Sequence, residues 1–93
     1  MNLSHSQQVI DYLQMYGIKK VSLFGSRVRG EEHPESDLDI LVEFSFRPTL
    51  LQLIKMEREL STQLGIKIDL LTENAISPFL RQKIKSEAIT IFG

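Results

Sequence analysis

The chain has 93 residues, a formal charge of −1 from 11 lysines and arginines against 12 aspartates and glutamates, and no cysteine. Residues 1–93 therefore suit one small domain, with no room for separate catalytic and substrate-binding domains. The composition excludes disulfides, thiolate zinc sites and a cysteine nucleophile. It gives no general attraction to nucleic acid or anionic membrane, and no apolar run approaches the roughly 20 residues that span a bilayer. A polar start, Met1 to Gln8, lacks the apolar stretch of a secretory signal, so the expected location is the cytoplasm.

In chain order, Val9, Ile10, Leu13 and Tyr16 fall at helical spacing from about Ser6, with Ser4 or Ser6 as N-cap and Gly17 as the stop. Ile18 to Phe24 predicts a largely buried strand that Gly25-Ser26 ends abruptly. Arg27 to Ser36 is polar and broken by Gly30 and Pro34, so it reads as loop. Leu38 to Phe44 is a second strand. A helix is expected from near Pro48, with Leu50, Leu53, Ile54, Leu60 and Leu64 as its apolar stripe, Glu57 on its polar side and Gly65 closing it. Ile66 to Leu71 predicts a third strand with Ile66, Ile68 and Leu70 on one face and Asp69 on the other. Ser77-Pro78 fits the cap and first position of a last helix to about Ser86, and Ile89 and Ile91 alternate in a final strand. The order predicts an α/β (α+β) fold, a small mixed sheet of three to four strands flanked by helices.

Three features carry chemistry. A Gly-Ser turn after a buried strand lets a backbone approach a ligand with no Cβ in the way and suits phosphate oxygens, although Gly25-Ser26 alone is equally a plain turn. Asp37 and Asp39 lie two apart at the start of a strand, so they share a face while Leu38 points to the core. Such carboxylates repel unless a cation lies between them, and oxygen-only ligands select hard cations such as Mg²⁺ or Mn²⁺. Asp69 sits within an apolar strand. If that strand pairs beside Asp39, a third carboxylate joins, and three carboxylates can hold two divalent ions for in-line phosphoryl transfer. Taken singly, Asp37-x-Asp39 could be a solvated strand start and Asp69 part of a solvated strand face.

The string Leu23-Phe24-Gly25-Ser26-Arg27-Val28-Arg29-Gly30, then Ser36-Asp37-Leu38-Asp39-Ile40-Leu41-Val42, with ten residues between Ser26 and Asp37 and a later Asp69, resembles the nucleotidyltransferase superfamily that includes DNA polymerase beta. It looks most like the minimal nucleotidyltransferase (MNT) members, the antitoxin half of HEPN–MNT toxin–antitoxin pairs. Val28, where a smaller residue is commoner, is a mild departure. The resemblance implies ATP as donor and two Mg²⁺ ions, with Mn²⁺ as substitute. It implies Asp37, Asp39 and Asp69 as metal ligands and catalytic residues, with Asp69 also the general base. Gly25 and Ser26 would contact the terminal phosphates, and Arg27 and Arg29 flank that turn for phosphate or a partner. It further implies transfer of AMP to a tyrosine of a cognate HEPN ribonuclease toxin, hence a hetero-oligomer with that toxin. Larger relatives grip the acceptor with an added helical domain, so here the acceptor is expected from another polypeptide.

Two other readings stay open: an antitoxin that neutralises its toxin by masking alone, and nucleotidyl transfer to RNA or a small molecule. Nucleic acid as a direct ligand is disfavoured by the charge balance. His33 and His5 read as solvated, and Tyr12 and Tyr16 as packing residues rather than AMP acceptors. Arg81, Lys83 and Lys85 read as a solvated face. Phe44, Phe46 and Pro48 form an apolar cluster suited to an interface, and the segment Ile91-Phe92-Gly93 could dock on a partner.

Overall fold

The computed structural model describes residues 3–25 and 38–93. Helix α1 spans Leu3–Gln14, strand β1 Ile18–Phe24, β2 Leu38–Phe44, helix α2 Leu50–Leu64, β3 Ile68–Thr72, α3 Pro78–Glu87 and β4 Ile89–Phe92, with a single 3₁₀ turn at Glu73–Ala75 before α3. The sheet runs β3-β2-β1-β4. β1 pairs antiparallel with both β2 and β4, whereas β2 and β3 are parallel and joined through α2. The mixed four-stranded sheet and its helices are the architecture expected from the sequence.

Alternation along the strands divides the sheet into two faces. Val21 and Leu23, Ile40 and Val42, and Ile68 and Leu70 point to one face, where Val9, Tyr12 and Leu13 of α1 and Met56 and Leu60 of α2 complete the main core. The opposite face carries Phe24, Leu41 and Leu71, covered by Ile76, Ile84 and Ala88 from α3 and its flanks. The sheet is thus the middle of three layers.

α2 starts two residues beyond Pro48. Thr49 is the N-cap, accepting from the Gln52 amide at 3.2 Å while the Gln52 side chain accepts from the Thr49 amide at 2.8 Å. This reciprocal pair is a capping box, legible as Thr-x-x-Gln. Gly65 ends the helix in the left-handed region at φ 70°, which a glycine enters at no steric cost. At the other end of the chain, Ser77 caps α3 with Pro78 at its first position, as expected.

Several expectations need correction. α1 begins at Leu3, so Ser6 is a buried helix residue rather than a cap. In α2 the buried side chains are Met56 and Leu60, with Leu53 and Leu64 packed against the core, while Leu50 is 72% exposed and Ile54 40%. Only part of the apolar stripe therefore faces the sheet. Glu57, expected on the polar side of the helix, is half-buried. β3 starts at Ile68, two residues later than the apolar pattern suggested. Phe44 is buried and Phe46 exposed, their rings 5.4 Å apart edge to face. Ile91 and Phe92 are committed to the sheet as part of β4 and packed on the core, not extended as a docking tail. On α3, Arg81 is half-buried and donates to the Ile76 carbonyl at 3.3 Å, and Lys85 pairs with Glu73 at 3.0 Å. Lys83 and Lys85 are exposed, as the solvated face requires, and Arg81 alone of the trio departs from it. His5 is half-buried.

Candidate active site

The end of β1 and the starts of β2 and β3 meet at one end of the sheet. In the antiparallel register Phe24 lies opposite Asp39, and in the parallel register Asp39 lies beside Asp69. Both carboxylates point to the α3-bearing face, because their neighbours Leu38, Ile40, Ile68 and Leu70 all point into the main core. Two carboxylates at paired positions of adjacent strands are nearest neighbours on that face. The third strand thus brings Asp69 where the sequence pattern required it.

Gly25 completes this corner. It follows β1 directly and has φ 90°, which side-chain-bearing residues rarely adopt. A Cβ built on it would overlap the Oδ2 atom of Asp39. The glycine is therefore fixed by two independent constraints, its backbone conformation and the carboxylate lying against it. This close approach leaves the Asp39 carboxylate beside bare backbone at the end of β1.

Asp37, Ser26, Arg27, Arg29 and His33 lie outside the described residues. Among the described residues, no group of three or more histidine, cysteine, aspartate or glutamate side chains comes together in a metal-holding arrangement. Asp39 and Asp69 offer only carboxylate oxygens, and Gly25 sets bare backbone against Asp39. That donor chemistry fits a hard divalent cation and not a soft one.

Sequence reasoning missed Glu57. Its carboxylate Oε2 accepts from the backbone amide of Leu70, the residue after Asp69, at 2.7 Å. One turn on, Ser61 Oγ accepts from the amide of Ile68, the residue before Asp69, at 3.1 Å. A half-polar i, i+4 pair on an otherwise apolar helix face was the available signal.

Away from this corner, Tyr12 is buried and its hydroxyl donates to Glu59, linking α1 to α2, with the Tyr16 hydroxyl at 3.2 Å. Burial, followed by the hydrogen bonds to Glu59 and Tyr16, pushes the Tyr12 pKa well above the usual phenol value. Its role as a packing residue is the one read from the sequence. Among the described residues, no helix is long and apolar enough to cross a membrane.

The pattern of the nucleotidyltransferase domain family matches residues 6–91. A candidate protein adenylyltransferase of Methanocaldococcus jannaschii is 40% identical over 92 residues, covering 98% of this chain and 99% of that protein. Two solved structures share the fold over the whole chain. One is a toxin–antitoxin with AMP-PNP, at a TM-score of 0.87 and 23% identity over 74% of its matched chain. The other is a tri-AMPylated Shewanella oneidensis HEPN toxin in complex with MNT antitoxin, at 0.83 and 20% over 73% of its matched chain. With the four-stranded mixed sheet, the paired Asp39 and Asp69 and the glycine against them, these likenesses make the chain a member of the nucleotidyltransferase family, on its minimal branch of protein adenylyltransferases.

Proposed function

We propose that the protein transfers AMP from ATP to a tyrosine hydroxyl of a cognate HEPN-type toxin and thereby acts as its antitoxin, working as a single minimal domain in the cytoplasm. The observation that carries this reading is the register that sets Asp39 beside Asp69 with Gly25 against the Asp39 carboxylate. The solved toxin–antitoxin neighbours, one with AMP-PNP and one with an AMPylated HEPN toxin, support the donor, the acceptor class and a toxin–antitoxin hetero-oligomer.

In this reading Asp39 and Asp69, with Asp37, hold two Mg²⁺ ions, for which Mn²⁺ substitutes. When bound, such ions neutralise the triphosphate and make the acceptor hydroxyl more acidic. The chain's own residues do the rest. Gly25 and Ser26 bring backbone amides to the terminal phosphates, since no Cβ stands between backbone and ligand at Gly25. Arg27 and Arg29 add positive charge beside that turn. The acceptor oxygen attacks the α-phosphorus in line, the bond to the bridging oxygen breaks, and pyrophosphate leaves. Asp69 takes the hydroxyl proton, a role open to a half-buried carboxylate on an edge strand.

The test is label transfer from [α-³²P]ATP to the co-purified partner, with Asp39→Asn and Asp69→Asn singly. Each variant is expected to stay folded and to lose transfer. Undiminished transfer in either would contradict the site assignment. A silenced partner that never acquires label would replace catalysis with masking.

A further inference from the structure

β3 is an edge strand, so alternate backbone amides along it point away from the sheet and lack a ladder partner. Those amides belong to Ile68 and Leu70, the residues on either side of Asp69. The two hydrogen bonds from α2 satisfy both of them, Ser61 at Ile68 and Glu57 at Leu70. The match is geometric. Four residues along a helix rise about 6 Å, and two residues along a strand rise about 6.6 Å. Side chains one turn apart on α2 can therefore reach successive outward amides of a strand running beside the helix in the opposite sense. Both side chains are half-buried, and the bond to the Glu57 carboxylate is charge-assisted, which makes it the stronger of the two.

The inner side of β3 is held by the parallel ladder to β2, which begins where the Leu38 amide donates to the Lys67 carbonyl at 2.9 Å. Asp69 is thus clamped from both sides, by β2 inward and by α2 outward. Sliding or peeling of an edge strand is resisted by such contacts together with the burial of Ile68 and Leu70 in the core.

We propose that Glu57, with Ser61, is a positioning residue for Asp69. By binding the amides that bracket Asp69, it fixes the height of that carboxylate along the sheet edge relative to Asp39. This rests on the reading that Asp39 and Asp69 together hold the divalent ions. Glu57 touches no reacting atom. It acts through the backbone, and an uncharged acceptor of the same shape should serve nearly as well.

The test compares Glu57→Gln, Glu57→Ala and Ser61→Ala, on the full chain, by three readouts. The first is hydrogen exchange at the Leu70 amide. The second is broadening of the Asp39 and Asp69 amide resonances by Mn²⁺ alone. The third is AMP transfer to the partner under conditions where circular dichroism shows each variant folded. Glu57→Ala is expected to speed Leu70 exchange and to weaken both Mn²⁺ broadening and transfer by about tenfold to a hundredfold, the usual effect of removing a support behind metal-binding side chains. Glu57→Gln is expected to restore all three to near wild type, and Ser61→Ala to lie between. A folded Glu57→Ala with wild-type broadening and transfer would overturn the proposal, as would a Glu57→Gln as impaired as Glu57→Ala. Wild-type chain that shows Mn²⁺ broadening but no AMP transfer would overturn the transfer reading alone, leaving the positioning to be decided by the broadening series.

Discussion

At the scale of single residues, Gly25 and Tyr12 answer to different physics. Gly25 sits at φ 90° with the Asp39 carboxylate where a Cβ would go. Gly25→Ala is expected to cost about 1–2 kcal/mol from the backbone alone, as for other side-chain-bearing residues forced to positive φ. It must also push Asp39 aside, and a displacement near 1 Å at a reacting centre can cost about a hundredfold in rate. Transfer assayed on folded protein should therefore fall far more than urea unfolding indicates. A variant that loses stability but keeps full activity would show that the Asp39 carboxylate tolerates displacement. Tyr12 is buried with its hydroxyl on the Glu59 carboxylate, so its ionisation is suppressed in the folded state. A group whose folded pKa is raised stabilises fully below its unfolded value, about 10 for tyrosine, and loses that contribution as pH rises above it. Thermal stability of the wild type should thus decline above about pH 10 more steeply than that of Tyr12→Phe. Parallel declines in the two proteins would remove Tyr12 from the account.

At the scale of elements, α2 matters most, because it links β2 to β3 and closes the outer edge of β3. Its start depends on the capping box between Thr49 and Gln52. Thr49→Ala should destabilise the protein by about 1 kcal/mol and Thr49→Ser by much less, read from chemical denaturation. Equal losses would mean the hydroxyl contributes nothing there. The strands that frame the site were legible because their apolar runs are short and sharply punctuated: Gly25 ends β1, and β2 was read to the residue. α2 was legible as a helix but not in its facing. Leu50 and Ile54 share apolar character with the buried Met56 and Leu60, yet they are exposed, and only the docked position of the helix distinguishes them. Glu57 was placed on the polar side of the helix for the same reason. Its partner is a backbone amide that is unpaired only because β3 is at the edge, a fact about strand order rather than composition.

At the scale of the whole molecule, the sheet separates two tasks. The face under α1 and α2 supplies the main core, and the opposite face carries α3 and, on β2 and β3, Asp39 and Asp69. The placement of Asp39 beside Asp69 was legible in the sequence, since residues at paired positions of adjacent strands share a face. The contact of Gly25 with Asp39 and the clamp on Asp69 were not, because both arise only when distant segments meet. The measurement that bears most directly on the central claim is the intact mass of the chain and of the neighbouring gene's product after incubation with ATP and Mg²⁺, beside an Asp37→Asn/Asp39→Asn control. The account predicts that the partner gains one or more AMP units and that the control leaves it unchanged. A partner that is silenced in a stable complex without any gain in mass would contradict it.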